Sequence, residues 1–119
     1  MKELTFNELK KLESNSYILI DTRDSNLVTY GTIPGAMHIP EQELYANIMQ
    51  YARSLSAEKA LVLYCQRGVR SLYLAETLEK QGKTCFSLQG GYLAYLRETL
   101  FHADGEAVPG TSETSTDEF

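Results

Sequence analysis

An α/β fold with a parallel sheet is predicted from the way aliphatic segments alternate with amphipathic ones along this chain of 119 residues. Tyr17–Ile20 and Ala60–Tyr64 are short aliphatic runs, typical of strands that are buried on both faces of a sheet. Thr84–Leu88 is a third candidate strand, and segments of helical periodicity separate the three. Strands and helices that alternate at short intervals predict βαβ units, with helices covering both faces of the sheet.

The first helix is predicted from its start signal. Thr5 and Glu8 fit the S/T-x-x-E capping box, in which each side chain hydrogen-bonds the backbone amide of the other residue. A short helix should follow, and the spacing of three between Phe6, Leu9 and Leu12 predicts that these side chains form its buried face.

The middle of the chain reads as an irregular segment followed by a helix. Four chain breakers between residues 25 and 40 favour loops, with one short strand at Ala36–Ile39. From Glu41 onward, apolar residues recur at intervals of three and four, which predicts an amphipathic helix that ends near Arg53.

Two further helices are predicted in the second half. One begins at about Ser71 and ends at Gly82, where glycine suits a helix C-terminus. The other follows the Gly90–Gly91 turn, because Tyr92, Leu96 and Leu100 recur in steps of four.

The distribution of charge divides the chain into a domain and a tail. Residues 1–102 contain all 11 Lys and Arg against 11 Asp and Glu, so the net charge of -5 resides in residues 103–119. This tail has too few large apolar groups to offset its ordering entropy, and we predict that it is disordered. A neutral domain without a basic stripe argues against nucleic-acid binding.

Neither a membrane nor a secretory pathway is indicated. The longest apolar run, residues 60–65, is far short of the roughly 18 residues that suggest a membrane span. The N-terminal segment lacks the apolar stretch of a secretory signal, and we expect a cytoplasmic protein. Cys65 and Cys85 show no metal-ligand spacing, so we expect two thiols, no metal and no cofactor.

The segment after the second buried strand is the candidate functional site. Ligands of parallel α/β sheets bind beyond the carboxyl ends of strands, where loops lead into helix N-termini. Cys65 stands at such an end, and Gly68 permits backbone conformations that turn several amides toward one point. With Arg67 and Arg70 nearby, these amides should stabilise a thiolate and attract an anionic substrate.

The same segment lacks a general acid. No His, Asp or Glu lies between Cys65 and Leu72. The loop therefore favours transfer of a soft atom between thiolates over a step that protonates a leaving group. Cys85, by contrast, is interpreted as a core thiol, and His38 as a structural histidine.

Four ordered segments of the sequence resemble single-domain rhodaneses, the thiosulfate-type sulfurtransferases. The first is Cys65-Gln66-Arg67-Gly68-Val69-Arg70-Ser71, which is similar to the family's active-site loop. The others are the Ile20–Asp24 segment, the Gly31–Pro40 segment and the Leu88–Tyr95 segment. At two positions the sequence differs from the usual residue of the family: Thr32 stands where the family usually has His, and Tyr95 where it usually has Trp.

The resemblance implies a fold, a reaction and a set of roles. It implies a rhodanese-like domain at residues 1–102, with a mostly parallel five-stranded sheet between helices. Cys65 would accept a sulfane sulfur from a small anionic donor such as thiosulfate and pass it to cyanide or to a small or protein thiol. Residues 66–71 would bind the substrate, and Asp21 and Arg23 would support the loop. The substrate-binding set is Gln66, Arg67, Gly68, Val69, Arg70 and Ser71.

Two other functions are also compatible with the sequence. The protein could be a rhodanese module that relays persulfide sulfur to a partner protein or regulates it. It could also be a phosphatase or an arsenate reductase, but those enzymes resemble Cys-x5-Arg, whereas Cys65 and Arg70 form Cys-x4-Arg. A tetrahedral oxyanion needs a wider ring of amides than one sulfur atom does.

Overall fold

A five-stranded parallel sheet forms the centre of the computed structural model, which describes residues 3–54 and 58–102. The strands are β1 (Glu3–Leu4), β2 (Tyr17–Asp21), β3 (Met37–His38), β4 (Ala60–Tyr64) and β5 (Cys85–Leu88). Their order across the sheet is β1-β5-β4-β2-β3, and every neighbouring pair is parallel. The predicted α/β class with a parallel sheet is confirmed.

Six α-helices and a final π-helical segment surround this sheet in the described residues. The α-helices are α1 (Phe6–Lys10), α2 (Ser25–Val28), α3 (Glu41–Ala46), α4 (Ile48–Ser54), α5 (Val69–Lys80) and α6 (Gly91–Leu96). The π-helical segment is Arg97–His102. Within the described ranges, each helix is too short or too polar to span a lipid bilayer. The tail predicted at residues 103–119 lies outside the described residues.

Alternation along β4 builds the two layers of the core. Leu61 and Leu63 pack on one face of the sheet with the buried face of α5, whereas Val62 and Tyr64 pack on the other face with Leu9 of α1. These four side chains of β4, from Leu61 to Tyr64, are fully buried. A strand that is buried on both faces has a continuous apolar sequence, which explains why β4 could be predicted from the sequence.

The capping box at the first helix is present as predicted. The Glu8 amide donates to Thr5 Oγ1 at 3.0 Å, and the Thr5 amide donates to Glu8 Oε1 at 2.9 Å. Leu9 is buried as expected, but α1 ends at Lys10, so Leu12 lies beyond it and is 42% exposed. The prediction that Leu12 belongs to the buried face of this helix was wrong.

The segment from residue 25 to residue 54 contains more structure than its sequence pattern predicts. Ser25–Val28 forms the short helix α2, and the single predicted helix after Glu41 is divided at Asn47 into α3 and α4. Asn47 has φ -120° and ψ 34°, outside the helical region, and its side-chain amide donates to the Glu43 carbonyl at 3.1 Å. The same carbonyl accepts from the Asn47 backbone amide at 3.2 Å, so α3 ends with its last helical hydrogen bond formed.

Candidate active site

The strand order brings three loops together at the carboxyl edge of the sheet. β4 lies between β5 and β2, and Asp21 at the end of β2 pairs in register with Tyr64 at the end of β4. The loops that follow β2, β4 and β5 therefore leave the sheet side by side. Cys65, which follows β4, occupies the central position among them.

The sulfur of Cys65 lies against the start of α5. The Gly68 amide donates to Sγ at 3.1 Å, and the Ser71 amide donates to it at 3.4 Å. Gly68 caps α5 with a φ of +89°, a conformation that glycine adopts without strain. With the residue only 8% exposed, Sγ is surrounded by donors that would stabilise a negative charge.

A pair of serine hydroxyls extends the contacts of this sulfur into the core. Cys65 Sγ is 3.3 Å from Ser71 Oγ, which lies 2.7 Å from Ser87 Oγ on β5. Both serines are fully buried. Ser71 belongs to the predicted loop, whereas Ser87 was not predicted, because its only signal in the sequence is a polar residue within an otherwise apolar strand.

The turn between β5 and α6 holds the Cys65 loop from behind. The Tyr92 amide donates to the Cys65 carbonyl at 2.8 Å, and the Leu93 amide donates to the Gln66 carbonyl at 3.1 Å. Gly91 has a φ of +62°, and a Cβ atom there would collide with the Cys65 carbonyl oxygen. Gly91 thus allows the two loops to approach closely.

Asp21 and Arg23 form a buried ion pair beside the loop. Arg23 Nη2 is 2.8 Å from Asp21 Oδ2, and Nε and the backbone amide of Arg23 donate to Asp21 Oδ1 at 3.0 and 2.9 Å. Burial raises the pKa of the Asp21 carboxyl, but hydrogen bonds from the Arg23 side chain and backbone outweigh this effect and hold its pKa below the ordinary value. Asp21 is therefore the charged partner of Arg23 at neutral pH.

The guanidinium of Arg23 connects Asp21 with the Cys65 loop. Nη1 donates to Gln66 Oε1 at 3.1 Å, and Nη2 also donates to the Gly31 carbonyl at 2.6 Å. Its central carbon lies 4.0 Å from the centroid of the Tyr92 ring, a cation–π distance. Arg23 therefore links the loops that follow β2, β4 and β5.

Thr32 joins the same network. Its Oγ1 donates to Asp21 Oδ2 at 3.0 Å and lies 2.6 Å from the Tyr64 hydroxyl, which also accepts from the Ile33 amide at 2.9 Å. Burial is the main reason that the pKa of Tyr64 rises to about 12. The threonine that stands where the family usually has histidine thus contributes an uncharged hydroxyl that links the Asp21 carboxylate with the Tyr64 hydroxyl.

A cleft of about 380 Å³ opens above the sulfur. Its lining includes Arg23, Asp24, Glu41, Cys65, Gln66 and Arg70. Arg70 projects along the cleft and forms an ion pair with Glu41, with Arg70 Nε 2.9 Å from Glu41 Oε1. The cleft gives a small anion access to Cys65 past two guanidinium groups.

Two predicted binding residues lie on the outer side of the loop. Val69 is 73% exposed, and Arg67 is exposed and forms no ion pair with another described residue. Together with Arg70 they line a second, smaller apolar recess beside Cys65. Their backbone shapes the loop, while their side chains face solvent at its rim.

The remaining candidates lie away from the sulfur. Cys85 is fully buried in β5 and forms no disulfide with Cys65. His38 Nε2 lies 2.8 Å from the Arg23 carbonyl oxygen, a backbone contact that agrees with a structural role. Among residues 3–54 and 58–102, no three His, Cys, Asp or Glu side chains gather in the manner of metal ligands.

The fold and the loop define a known class of protein. Residues 5–98 match the family described as the Rhodanese-like domain. The chain belongs to this family, and the resemblance found in the sequence is confirmed.

Relatives of similar length agree with this assignment. The "Putative sulfurtransferase YtwF" of Bacillus subtilis is 33% identical over 101 residues, which are 83% of this chain and 94% of the relative. The thiosulfate sulfurtransferase GlpE of Haemophilus influenzae is 29% identical and covers 83% of this chain and 91% of its own length. The human single-domain sulfurtransferase TSTD1 superposes with a TM-score of 0.69 at 27% identity, over 82% of this chain and 97% of its own.

Proposed function

We propose that this protein is a sulfurtransferase that carries a sulfane sulfur on Cys65. The donor is a small anion such as thiosulfate, and the acceptor is cyanide, a small thiol or a protein thiol. The catalytic unit is the domain at residues 1–102, and residues 103–119 are a tail outside it. We place the reaction in the cytoplasm, where thiols stay reduced.

The observation that carries the proposal is the environment of the Cys65 sulfur. Two backbone amides donate to Sγ, from Gly68 at 3.1 Å and from Ser71 at 3.4 Å. Such donors stabilise an anion without transferring a proton to it. A persulfide and a thiolate are both anions at this position, so the same amides support both states of the reaction cycle.

The reaction has two steps, and each conserves atoms and charge. The Cys65 thiolate attacks the outer sulfur of thiosulfate, a new S–S bond forms, and sulfite leaves with the electron pair of the old S–S bond. Cyanide then attacks the terminal persulfide sulfur, a C–S bond forms, and the Cys65 thiolate leaves with the electrons of the persulfide bond. Neither step needs a general acid, in agreement with the loop composition.

A persulfide relay to a partner protein is the second candidate function. The exposed Val69 and Arg67 at the rim of the loop favour it, because they would meet a protein that approaches Cys65. A phosphatase or an arsenate reductase fits less well, since only four residues separate Cys65 from Arg70. Robust hydrolysis of an aryl phosphate or turnover of arsenate would reverse this order.

The test is thiocyanate formation from thiosulfate and cyanide. Native protein should turn over, and Cys65→Ser should lose the activity completely, because an alkoxide forms no persulfide. Cys85→Ala is the matched control, since it removes the other thiol, which lies fully buried in β5. We expect it to retain activity. Thiocyanate formation by Cys65→Ser at the native rate would refute the proposal.

The relay is distinguished by a second outcome. Negligible turnover by the native protein, together with a partner captured as an adduct on Cys65, would favour the relay over the thiosulfate enzyme. Absence of both turnover and adduct would refute both.

A further inference from the structure

Arg70 is occupied by a carboxylate of the protein itself. Its Nε lies 2.9 Å from Glu41 Oε1, and the pair lies at the solvent side of the Cys65 cleft, with the side chains 73% and 36% exposed. In water-rich surroundings such a pair contributes little to stability. The pair does change the charge of the cleft, because the Glu41 carboxylate neutralises a guanidinium that would otherwise attract an anionic substrate.

The other charges of the cleft are balanced in a similar way. The second guanidinium, that of Arg23, is paired with the buried Asp21 at 2.8 Å. Asp24 also lines the cleft and makes no ion pair with another described residue. The cleft therefore carries no net positive charge, although two of its lining residues are arginines.

The backbone fixes Glu41 in this position. Its amide donates to the Thr22 carbonyl at 2.9 Å, and Thr22 in turn bonds the Tyr64 carbonyl through both its amide and its hydroxyl. Glu41 is thus tied, through Thr22, to the strand end that carries Cys65. The backbone of Glu41 is therefore fixed at the edge of the cleft, and its carboxylate is held there by Arg70.

We propose that Glu41 is a specificity-determining residue that competes with anionic donors for Arg70 and selects against doubly charged ones. Donors of lower charge, such as singly charged persulfides, reach Cys65 without displacing the carboxylate. A dianion such as thiosulfate must approach a guanidinium that is already neutralised, so it serves as a donor but reacts more slowly than it would without Glu41. As a statement about sulfur donors, this inference rests on the proposed function.

Alkylation of Cys65 tests the charge effect without any sulfur transfer. Iodoacetate and iodoacetamide are nearly the same size, and both react by attack of the thiolate on carbon with loss of iodide. One is an anion and the other is neutral. The intrinsic reactivity of the Cys65 thiolate affects both rates equally and cancels in their ratio. The ratio therefore measures how strongly the cleft favours or disfavours an anionic reagent over a neutral one. Mass spectrometry of the Cys65 peptide gives both rates.

Glu41→Gln should raise the iodoacetate to iodoacetamide ratio about three- to tenfold at low ionic strength, as expected for one charge removed a few ångströms from a reacting anion. Salt at about 1 M should abolish most of the difference, since its Debye length is near 3 Å. Glu43→Gln is the matched control: it removes the same charge from α3, but Glu43 accepts a hydrogen bond from Tyr51 and does not line the cleft. Its ratio should stay near the native one.

The opposite change should come from Arg70→Gln, which leaves Glu41 unopposed and should lower the ratio below that of the native protein. An unchanged ratio in Glu41→Gln, or an equal rise in Glu43→Gln, would overturn the proposal. Thiosulfate turnover is then compared: kcat/KM should rise in Glu41→Gln by a similar factor. A native protein without turnover would refute the thiosulfate function, while the alkylation ratio would still decide the role of Glu41.

Discussion

The sulfur of Cys65 contacts two atoms of Ser71: the backbone nitrogen at 3.4 Å and the hydroxyl oxygen at 3.3 Å. Ser71 is the third residue of α5 and is fully buried, so the first turn of that helix and the proposed nucleophile are held together. The hydroxyl also contacts Ser87 at 2.7 Å, which ties the site to the neighbouring strand β5.

Removing the Ser71 hydroxyl should impair both activity and stability. Ser71→Ala deletes a group that can donate to the sulfur anion, and we expect sulfur transfer to fall about tenfold, as the loss of about one hydrogen bond to a charged group implies. It also leaves the buried Ser87 hydroxyl without this partner, at a cost of about 1–2 kcal/mol. Steady-state thiocyanate formation and urea denaturation measure the two effects.

Ser87→Ala separates these effects, because it breaks the same serine pair without touching the sulfur. Its loss of stability should match that of Ser71→Ala, while its activity should stay closer to the native value. Equal activity losses in the two variants would contradict a direct role for the Ser71 hydroxyl at the sulfur.

Gly91 should be indispensable for the position of the Cys65 loop. A Cβ atom at residue 91 would collide with the Cys65 carbonyl oxygen and lie 2.7 Å from the Gln66 carbonyl carbon. Gly91→Ala should therefore displace the loop and abolish most sulfur transfer. Gly82→Ala provides the control: its φ of +93° is at least as unfavourable for alanine as the +62° of Gly91, but no atom lies within 4 Å of the new Cβ.

We expect Gly82→Ala to cost about 1–2 kcal/mol from backbone strain alone and to retain activity when folded. Activity in both glycine variants, measured at a temperature where each is folded, would show that the close approach at Gly91 is not required.

Breaking the Asp21–Arg23 pair should be strongly destabilising. Asp21→Asn leaves the guanidinium of Arg23 buried beside a neutral amide, and loss of one partner of a buried ion pair costs about 3–5 kcal/mol. Urea denaturation at pH 7 should show this loss. A free energy of unfolding within about 1 kcal/mol of the native value would indicate that Arg23 finds adequate substitutes in Gly31, Gln66 and Tyr92.

The same pair should make stability depend on acid pH. The pKa of Asp21 in the folded protein lies below its ordinary value of 3.8, so the contribution of the pair is fully present above about pH 5. The contribution is lost as pH falls from about 5 through the lowered folded pKa. The difference in unfolding free energy between native protein and Asp21→Asn should shrink over this range. A difference that stays constant down to about pH 2 would contradict the assigned pKa direction.

Local sequence signals predicted the elements that local interactions determine. The capping box of Thr5 and Glu8 marked the start of α1, and the aliphatic run at Ala60–Tyr64 marked a strand buried on both faces. Gly68 before an apolar repeat marked the loop that leads into α5. Each of these signals depends on residues within one turn or one strand, so a sequence pattern carries it fully.

Features that depend on distant residues were not predicted. β1 consists of only Glu3 and Leu4, and it exists because β5 offers hydrogen bonds at the sheet edge. The division of the predicted helix at Asn47 was also missed: the backbone leaves the helical region there although the Asn47 amide still donates to the Glu43 carbonyl at 3.2 Å. Short elements of this kind have no periodicity to detect.

The candidate site shows the same division. The loop residues around Cys65 are contiguous and were found together, whereas Ser87 and Glu41 come from other elements and contact Ser71 and Arg70 only in the folded chain. Nothing in the sequence near either residue indicates these contacts. Asp21 and Arg23 were predicted from the resemblance to rhodaneses. The structure adds that they pair with each other and that Arg23 donates to Gln66.

The most direct test of the account is the mass of the protein after brief treatment with thiosulfate and removal of the donor. We predict a gain of one sulfur atom, located on the peptide that contains Cys65, and its loss as thiocyanate when cyanide is added in a single turnover. Cys85→Ala should behave in the same way, and Cys65→Ser should gain nothing. A sulfur atom that is found on Cys85, or thiocyanate that forms with no sulfur on Cys65, would contradict the central claim.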